Sequence, residues 1–213
     1  MAIDIIQLQN EYVYKTYELI AKEFDDTRFC IWNSVKLFLD SLPNYSLIAD
    51  IGCGNGKYMK YQASNKQYQY IGIDTCQNLL EIGRKRNYNL ILGNAISLPY
   101  RNNAFEYAIS IAVLHHIYSK EDRIRFISEI LRIVKPGGRI HITVWADSVV
   151  KKNFKYLGNG DYLFSWKNIH NSRYYHLFNK NELEDLLNNF KNVATYEIGY
   201  EMENWYITLQ KFV

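Results

Sequence analysis

The stretch that decides the fold is Ile48-Ala49-Asp50-Ile51-Gly52-Cys53-Gly54-Asn55-Gly56-Lys57, in which a short apolar run leads into three glycines separated by single residues. Such a run is typical of a buried strand that ends in a tight turn. Glycine lets the backbone approach a ligand more closely than any side chain allows. The spacing is G-x-G-x-G, whereas dinucleotide-binding loops have G-x-G-x-x-G. The loop and Asp50 therefore predict a ligand site at the end of a central strand, with an ordinary strand-to-helix turn as the alternative.

A second carboxylate follows at the distance that a nucleoside-bearing ligand requires. The next strand-like run is Tyr70-Ile71-Gly72-Ile73-Asp74, and Asp74 comes at roughly the spacing of about 20 residues that a helix and a strand occupy. A carboxylate at the end of that strand can accept hydrogen bonds from ribose hydroxyls. We therefore predict a site for a nucleoside-bearing cofactor, formed by Asp50, Gly52, Gly54, Gly56 and Asp74.

The composition is that of an ordinary globular chain. Of 213 residues, 48% are apolar and 22% are charged, which predicts a single domain with an N-terminal helical extension over about residues 1–45. No apolar run has the length of a membrane span and the first residues do not resemble a secretory signal, so we expect a cytoplasmic protein. The net charge of +3 is too small to argue for nucleic acid. Cys30, Cys53 and Cys76 have no paired spacing, and no metal site is predicted.

Strand and helix patterns alternate along the chain, which predicts an α/β fold with a parallel sheet covered on both faces. The run 107–113 is long and apolar, as a central parallel strand should be. Apolar residues at helical spacing over 121–134 are followed by Lys135-Pro136-Gly137-Gly138, which predicts the end of a helix and a turn. The predicted strands one to five are Leu47 to Ile51, Tyr70 to Asp74, Asn89 to Gly93, Tyr107 to Val113 and Ile140 to Val144.

The remaining segments complete this outline. Residues 11–24 have a helical pattern that ends at Asp25-Asp26-Thr27. We predict that this helix covers the cofactor site, although a purely structural cap on the sheet fits the pattern equally well. The other predicted segments are a helix over 78–86, a polar loop over 165–173, a helix over 181–190 and an antiparallel strand pair within 198–213.

Further candidate residues lie at the carboxyl ends of the predicted strands, where open parallel sheets bind their ligands. Asn94 and Ala95 follow strand three, and the Asn94 amide could accept a hydrogen bond from an adenine amino group. His115 and His116 follow strand four, and adjacent side chains point apart. We therefore expect at most one of the two to face a substrate, and we favour His116.

These residues resemble one family, the tRNA wobble-uridine carboxymethyl methyltransferases, over nearly the whole chain. The glycine loop and the proline-glycine turn are shared with class I methyltransferases in general. More specific are the runs Ser110-Ile111-Ala112-Val113-Leu114-His115-His116, Val144-Trp145-Ala146 and Arg173-Tyr174-Tyr175-His176-Leu177-Phe178, together with Tyr17-Glu18-Leu19-Ile20-Ala21 and Thr27-Arg28-Phe29.

The resemblance implies a class I, Rossmann-like sheet of seven mostly parallel strands and methyl transfer from S-adenosyl-L-methionine to 5-carboxymethyluridine. The acceptor carboxylate has an ordinary pKa of about 4 and is ionised at pH 7, so no general base is required. The implied cofactor residues are Asp50, Gly52, Gly54, Gly56, Asp74, Asn94, Ala95 and Ala112. The implied catalytic residues are Arg28, His116 and Arg173, and those that contact the substrate are Arg28, His116, Trp145, Tyr174 and Tyr175.

The resemblance also implies two partners. One is the anticodon loop of tRNA. The clustered basic residues are candidate phosphate contacts, although a solvated helix or loop face is the favoured interpretation of each cluster: Arg84-Lys85-Arg86, Lys151-Lys152 with Lys155, and Lys57 with Lys60. The other partner is a small zinc-binding activator protein that forms a heterodimer through the sheet edge near residues 89–92, where no charge or proline blunts strand pairing.

Three other functions remain open from the sequence. A methyltransferase could act on a small carboxylic acid or another metabolite. A scaffold protein could keep this fold without catalysis, and Asn94, in place of an acidic residue, is the hint for it. A nicotinamide dehydrogenase is disfavoured, because the third glycine is misplaced for that loop.

Overall fold

The computed structural model describes residues 5–27, 31–165 and 172–213. Its main sheet has seven strands in the order β3-β2-β1-β4-β5-β10-β9. The bounds of these strands are β1 Leu47–Ile51, β2 Gln69–Asp74, β3 Leu90–Leu92, β4 Phe105–Ile111, β5 Val134–Trp145, β9 Ala194–Glu201 and β10 Asn204–Lys211.

Strands β1 to β5 are parallel, and β10 runs antiparallel to both β5 and β9. This arrangement confirms the predicted seven-stranded α/β sheet and its closing antiparallel pair. The chain moves outward from β1 to β3 and then crosses to β4 on the other side of β1. The strand order therefore reverses between β1 and β4, and a ligand site is expected beyond the carboxyl ends of these two strands.

Helices cover both faces of the sheet. On one face Phe126, Ile127 and Leu183 pack in the larger apolar core, and on the other Phe38 and Leu39 pack in a second core. The helices after the N-terminal segment are α3 Asn33–Asp40, α4 Gln77–Arg84, α5 Lys120–Ile133 and α6 Lys180–Leu187. None of the helices in the described residues has the length and apolar character that a membrane crossing needs.

The N-terminal segment is one continuous helical rod with a widened turn. It consists of α1 Ile5–Gln9, a π-helical turn over Asn10–Tyr14 and α2 Lys15–Asp25. The prediction of a helix over 11–24 is confirmed, and the rod begins earlier. Two carboxylates fasten it to α4 and to the glycine loop. Glu18 accepts hydrogen bonds from the backbone N–H groups of Gln77 (2.6 Å) and Asn78 (2.9 Å), and Asp25 forms an ion pair with Arg86 at 2.7 Å.

The prediction of a polar loop over 165–173 is wrong at both ends of that range, because the residues there lie in strands. A second, antiparallel sheet is formed by β6 Phe154–Gly158, β7 Asp161–Ser165 and β8 Ser172–His176, and residues 166–171 lie outside the described part of the chain. Asn159 and Gly160 have φ values of +51° and +80° and connect β6 to β7. An Asn-Gly pair between alternating aromatic residues is the strongest short hairpin signal, and it was the signal that could have found this sheet.

The predicted proline-glycine turn is a bulge at the start of β5. Helix α5 ends at Ile133, and the pairing with β4 jumps from Phe105–Val134 to Tyr107–Arg139. Gly137 has a φ of +77°, which favours glycine. The predicted helix stop and the return into strand five are therefore confirmed, and the turn itself belongs to the strand.

Candidate functional site

The glycine loop lies at the carboxyl end of β1 and depends on glycine for its shape. Gly52, Gly54 and Gly56 all have positive φ values, of +74°, +53° and +76°. A Cβ atom at Gly52 would lie 2.3 Å from the Val113 side chain, so this position also has no room for one. The loop backbone therefore forms part of the wall of a cavity between β1, β2 and β4.

Two buried carboxylates face this cavity. Asp74 accepts hydrogen bonds from the backbone N–H groups of Gly54 (2.7 Å) and Cys76 (2.8 Å), which fixes its carboxylate beside the loop. Asp50 is 1% exposed, and its Oδ2 accepts no hydrogen bond from any described residue. Burial, with a smaller contribution from Asp74, raises the pKa of Asp50 to about 8. An unsatisfied buried carboxylate oxygen fits a ligand that brings a cationic or hydrogen-bond-donating group.

The opposite wall contains the other predicted cofactor residues. Asn94, Ala95 and Ala112 all line the cavity. Ala112 has a φ of +62°, and its N–H donates to the backbone oxygen of Thr143 at 3.1 Å and to its Oγ1 at 3.0 Å. Strained backbone of this kind is held in place by its surroundings and is common at binding sites. The structure therefore brings seven of the eight predicted cofactor residues together around one cavity, and Gly56 is the one that does not line it.

The N-terminal rod forms the roof. Val13, Tyr14, Tyr17 and Phe24 line the cavity from above. The Tyr14 hydroxyl is hydrogen-bonded to the side chain of Asn94, and burial raises the pKa of that hydroxyl. The prediction that this helix covers the site is therefore confirmed. Tyr17 also has a hydrogen-bonding function that sequence reasoning missed.

Tyr17 belongs to a hydrogen-bond chain that engages both ring nitrogens of His116. The His116 Nδ1 lies 2.9 Å from the backbone oxygen of Tyr174, so this nitrogen must donate. The His116 Nε2 lies 2.8 Å from the Tyr17 hydroxyl, and in the neutral ring it accepts. The Arg173 guanidinium lies beside Tyr17, 5.9 Å from the centre of its ring. The chain therefore runs from Tyr17 through His116 to the backbone oxygen of Tyr174, and in the neutral ring the imidazole lone pair is already engaged.

His115 also lines the cavity, and the expectation that at most one of the two histidines faces a substrate stays a prediction. Both lie in the short 3-10 turn Leu114–His116, and their rings are 4.5 Å apart in an edge-on contact. The backbone N–H of Trp145 donates to the His115 Nδ1 at 3.0 Å, so this lone pair is engaged too. Trp145 and Tyr175 stack with their ring centres 4.3 Å apart, beside the two histidines.

Three predicted residues are not placed in the cavity wall. The Tyr174 side chain is fully buried and donates to Asp161 Oδ1 at 2.5 Å, on the opposite face of β8 from Tyr175. Arg173 lies behind Tyr17, with its guanidinium 5.4 Å from the Phe164 ring and 5.6 Å from the Tyr175 ring. Arg28 lies outside the described residues. The roles predicted for these residues and for His116, Trp145 and Tyr175 stay predictions.

Comparison with known proteins agrees with this site. Residues 49–142 match the family model described as "Methyltransferase domain". The chain is 34% identical to the tRNA (carboxymethyluridine(34)-5-O)-methyltransferase of Schizosaccharomyces pombe, over 97% of this chain and 99% of that one. The chain belongs to this methyltransferase family. It is also 34% identical to the tRNA (carboxymethyluridine(34)-5-O)-methyltransferase alkbh8 of Xenopus tropicalis, over 96% of this chain and 41% of that protein.

Solved structures show the same fold. A SAM-dependent methyltransferase of Methanosarcina mazei has a TM-score of 0.68 at 21% identity, covering 86% of this chain and 99% of its own. A Haloferax volcanii methyltransferase in complex with the Trm112 methyltransferase activator also has a TM-score of 0.68, at 16% identity, covering 97% and 98%. The predicted family, the class I methyltransferase fold and the cofactor S-adenosylmethionine are thus confirmed, and the assignment of this cavity to the cofactor stays a prediction.

Proposed function

We propose that this chain transfers the methyl group of S-adenosylmethionine to the carboxylate of 5-carboxymethyluridine at the tRNA wobble position, giving the methyl ester. The support is the match over nearly the full length of both chains to a relative named for this reaction. The structure adds an argument about the acceptor, because the histidines in the cavity wall have their lone pairs engaged.

The engaged lone pairs favour an acceptor that needs no base. The His116 Nε2 faces the Tyr17 hydroxyl and the His115 Nδ1 accepts from the Trp145 N–H. Either imidazole would have to break that hydrogen bond before it could take a proton from a hydroxyl or an amine. A carboxylate is already an anion at neutral pH. The wall therefore suits attack by a carboxylate oxygen, which forms the new O–CH₃ bond while the bond between the methyl group and sulfur breaks.

The main task of the chain's own residues is then to align the acceptor carboxylate with the methyl group. S-adenosylmethionine supplies an electrophilic methyl group when bound. Asp50 and Asp74 would hold polar groups of the cofactor, and the roof of Tyr14, Tyr17 and Phe24 would keep water away from it. Contact with one oxygen of the acceptor would orient the carboxylate and leave the other oxygen to attack, since a fully paired carboxylate would be a poor nucleophile.

The decisive experiment is methyl transfer to tRNA that carries 5-carboxymethyluridine, with labelled S-adenosylmethionine and nucleoside analysis of the digested product. The methyl ester at the wobble position is the expected result. Asp74→Ala should abolish it by weakening cofactor binding, whereas Lys191→Gln, on the far edge of the sheet, should leave it unchanged. If the chain binds the cofactor and methylates a small carboxylic acid but not this tRNA, the metabolite alternative is correct.

We also infer that a Trm112-type activator binds along β3. This strand is the sheet edge, and the side chains of Ile91 and Leu92 are 37% and 52% exposed. Unpaired backbone groups beside exposed apolar side chains suit pairing with a strand of another protein. The Haloferax volcanii complex shows such an activator with a protein of the same fold. Co-purification with a Trm112 protein should succeed for the wild type and fail for Leu92→Lys, and equal recovery of both would argue against this edge.

The predicted cytoplasmic location has no test in the structure and stays a prediction.

A further inference from the structure

We propose that one face of the β6–β7 hairpin is a docking surface for the single-stranded nucleotides that flank the wobble base. The proposal rests on the proposed function, because it takes the anticodon loop as the substrate. The aromatic face, as we call it, is formed by Phe154, Tyr156, Tyr162 and Phe164. These four residues share one face because Phe154 pairs with Phe164 and Tyr156 pairs with Tyr162 across the two strands.

The aromatic face is continuous with the cofactor cavity. Trp145, in the cavity wall, lies 6.2 Å from the Phe154 ring and 6.1 Å from the Phe164 ring. Phe154 lies 5.9 Å from Tyr162, which lies 5.1 Å from Tyr156. The rings therefore form a row of contacts that leads from the cavity wall to the surface.

The outer end of this row is open to a partner. Tyr156 is 60% exposed, and Phe154, Tyr162 and Phe164 are each partly exposed. A wobble nucleotide in the cavity would be covalently joined to neighbours on both sides, and those neighbours must lie on the surface beside the cavity. Exposed aromatic rings on a small sheet are a common platform for the bases of single-stranded RNA, because every base has a face that can stack.

The charges around the hairpin complement a phosphate backbone. Between residues 146 and 165 the exposed charged side chains are Lys151, Lys152, Lys155 and Asp147. Lys151 forms an ion pair with Glu203 at 3.2 Å, and Lys155 is on the face of β6 opposite to the aromatic face. Lys152 lies two residues before Phe154. Lys152 is thus the side chain that we assign to a phosphate contact, and the positive excess favours RNA over a basic or purely apolar partner.

Fluorescence anisotropy with a labelled anticodon stem-loop RNA, titrated with the full chain, tests this surface. Tyr156→Ala should weaken binding roughly fivefold or more, since the stacking of one base on an aromatic side chain is worth about 1–3 kcal/mol. Tyr156→Phe keeps the ring and should bind like the wild type. Tyr45→Ala is the matched control, because Tyr45 is 64% exposed and precedes β1, at the amino ends of the parallel strands and so away from the cavity.

The salt dependence gives a second, independent measurement. Lys152→Gln should lower the slope of log K against log salt concentration by about 0.7, the value for one phosphate contact of a single strand. Lys191→Gln should leave the slope unchanged.

Unaltered binding by Tyr156→Ala, with wild-type binding intact, would overturn the docking surface while leaving the tRNA function in place. Wild-type protein that binds S-adenosylmethionine but no stem-loop RNA would instead overturn the proposed acceptor, and this surface with it.

Discussion

At the scale of single residues, Asp50 couples cofactor binding to a proton. Its pKa of about 8 means that the carboxyl is mostly protonated at pH 7 in the free protein. A cationic group bound beside it favours the ionised form, so binding at pH 7 should release a proton, and affinity should rise as the pH approaches 8. Titration calorimetry in buffers of different ionisation enthalpy measures that release.

The variant Asp50→Asn separates the proton released by Asp50 from any protons that the cofactor gains or loses on binding. It should lose the part of the proton release that belongs to Asp50 and should bind S-adenosylmethionine more weakly. Equal proton release by the variant and the wild type would show that Asp50 does not ionise on binding.

The Tyr17 hydroxyl is the second residue with a testable function. Tyr17→Phe removes the group that is hydrogen-bonded to the His116 Nε2 and leaves a buried nitrogen without its partner. Such a loss costs about 1–3 kcal/mol, so we expect kcat on the tRNA to fall about tenfold while the affinity for the cofactor is kept. Tyr12→Phe, on the same rod but outside the cavity wall, is the control. An unchanged kcat would remove this hydrogen-bond chain from the reaction.

At the scale of elements, the N-terminal rod is a roof fastened at two points. Arg86 bonds both oxygens of Asp25 and donates to the backbone oxygen of Asn55 at 3.4 Å, so it ties the end of the rod to the glycine loop. The pair is partly exposed and is therefore worth about 1 kcal/mol or less. Arg86→Ala should speed cofactor dissociation up to about fivefold and increase hydrogen exchange over residues 15–25. Arg84→Ala, at the end of α4 and two residues before Arg86, should change neither. An unchanged dissociation rate in Arg86→Ala would mean that the rod does not open for release.

The strands and helices differ in how well the sequence predicts them. Strands β1 to β5 were predicted because each is a short apolar run, and the carboxylates and glycines follow those runs directly. The β6–β7–β8 sheet was missed although the Asn159-Gly160 turn between its first two strands is a local signal of a hairpin. The contact between Tyr17 and His116 joins residues about 100 positions apart, and no local pattern contains it. Local motifs therefore predict the cofactor side of the site better than the acceptor side.

At the scale of the whole molecule, two buried groups set how the stability of the ligand-free protein depends on pH. Burial lowers the pKa of His141 to about 4, so between about pH 4 and 6.5 the unfolded chain binds a proton that the folded chain does not. Asp50 acts in the opposite sense, because between about pH 4 and 8 it is the folded chain that holds the extra proton. Burial also raises the pKa of Asp74, which acts in the same sense as Asp50.

Below about pH 6.5 the His141 effect and the carboxyl effect change the free energy of unfolding in opposite directions. Above about pH 6.5 only the carboxyl effect remains. The free energy of unfolding should therefore fall between pH 6.5 and 8, by up to about 1.4 kcal/mol per pH unit for each carboxyl that is still protonated. Urea unfolding at pH 6.5 and pH 8 measures this fall. Asp50→Asn should reduce it, whereas Asp185→Asn, at an exposed position on α6, should leave it unchanged. A wild-type stability that does not fall in this range would mean that Asp50 is already ionised in the folded protein, because a carboxyl with an ordinary pKa adds no pH dependence there.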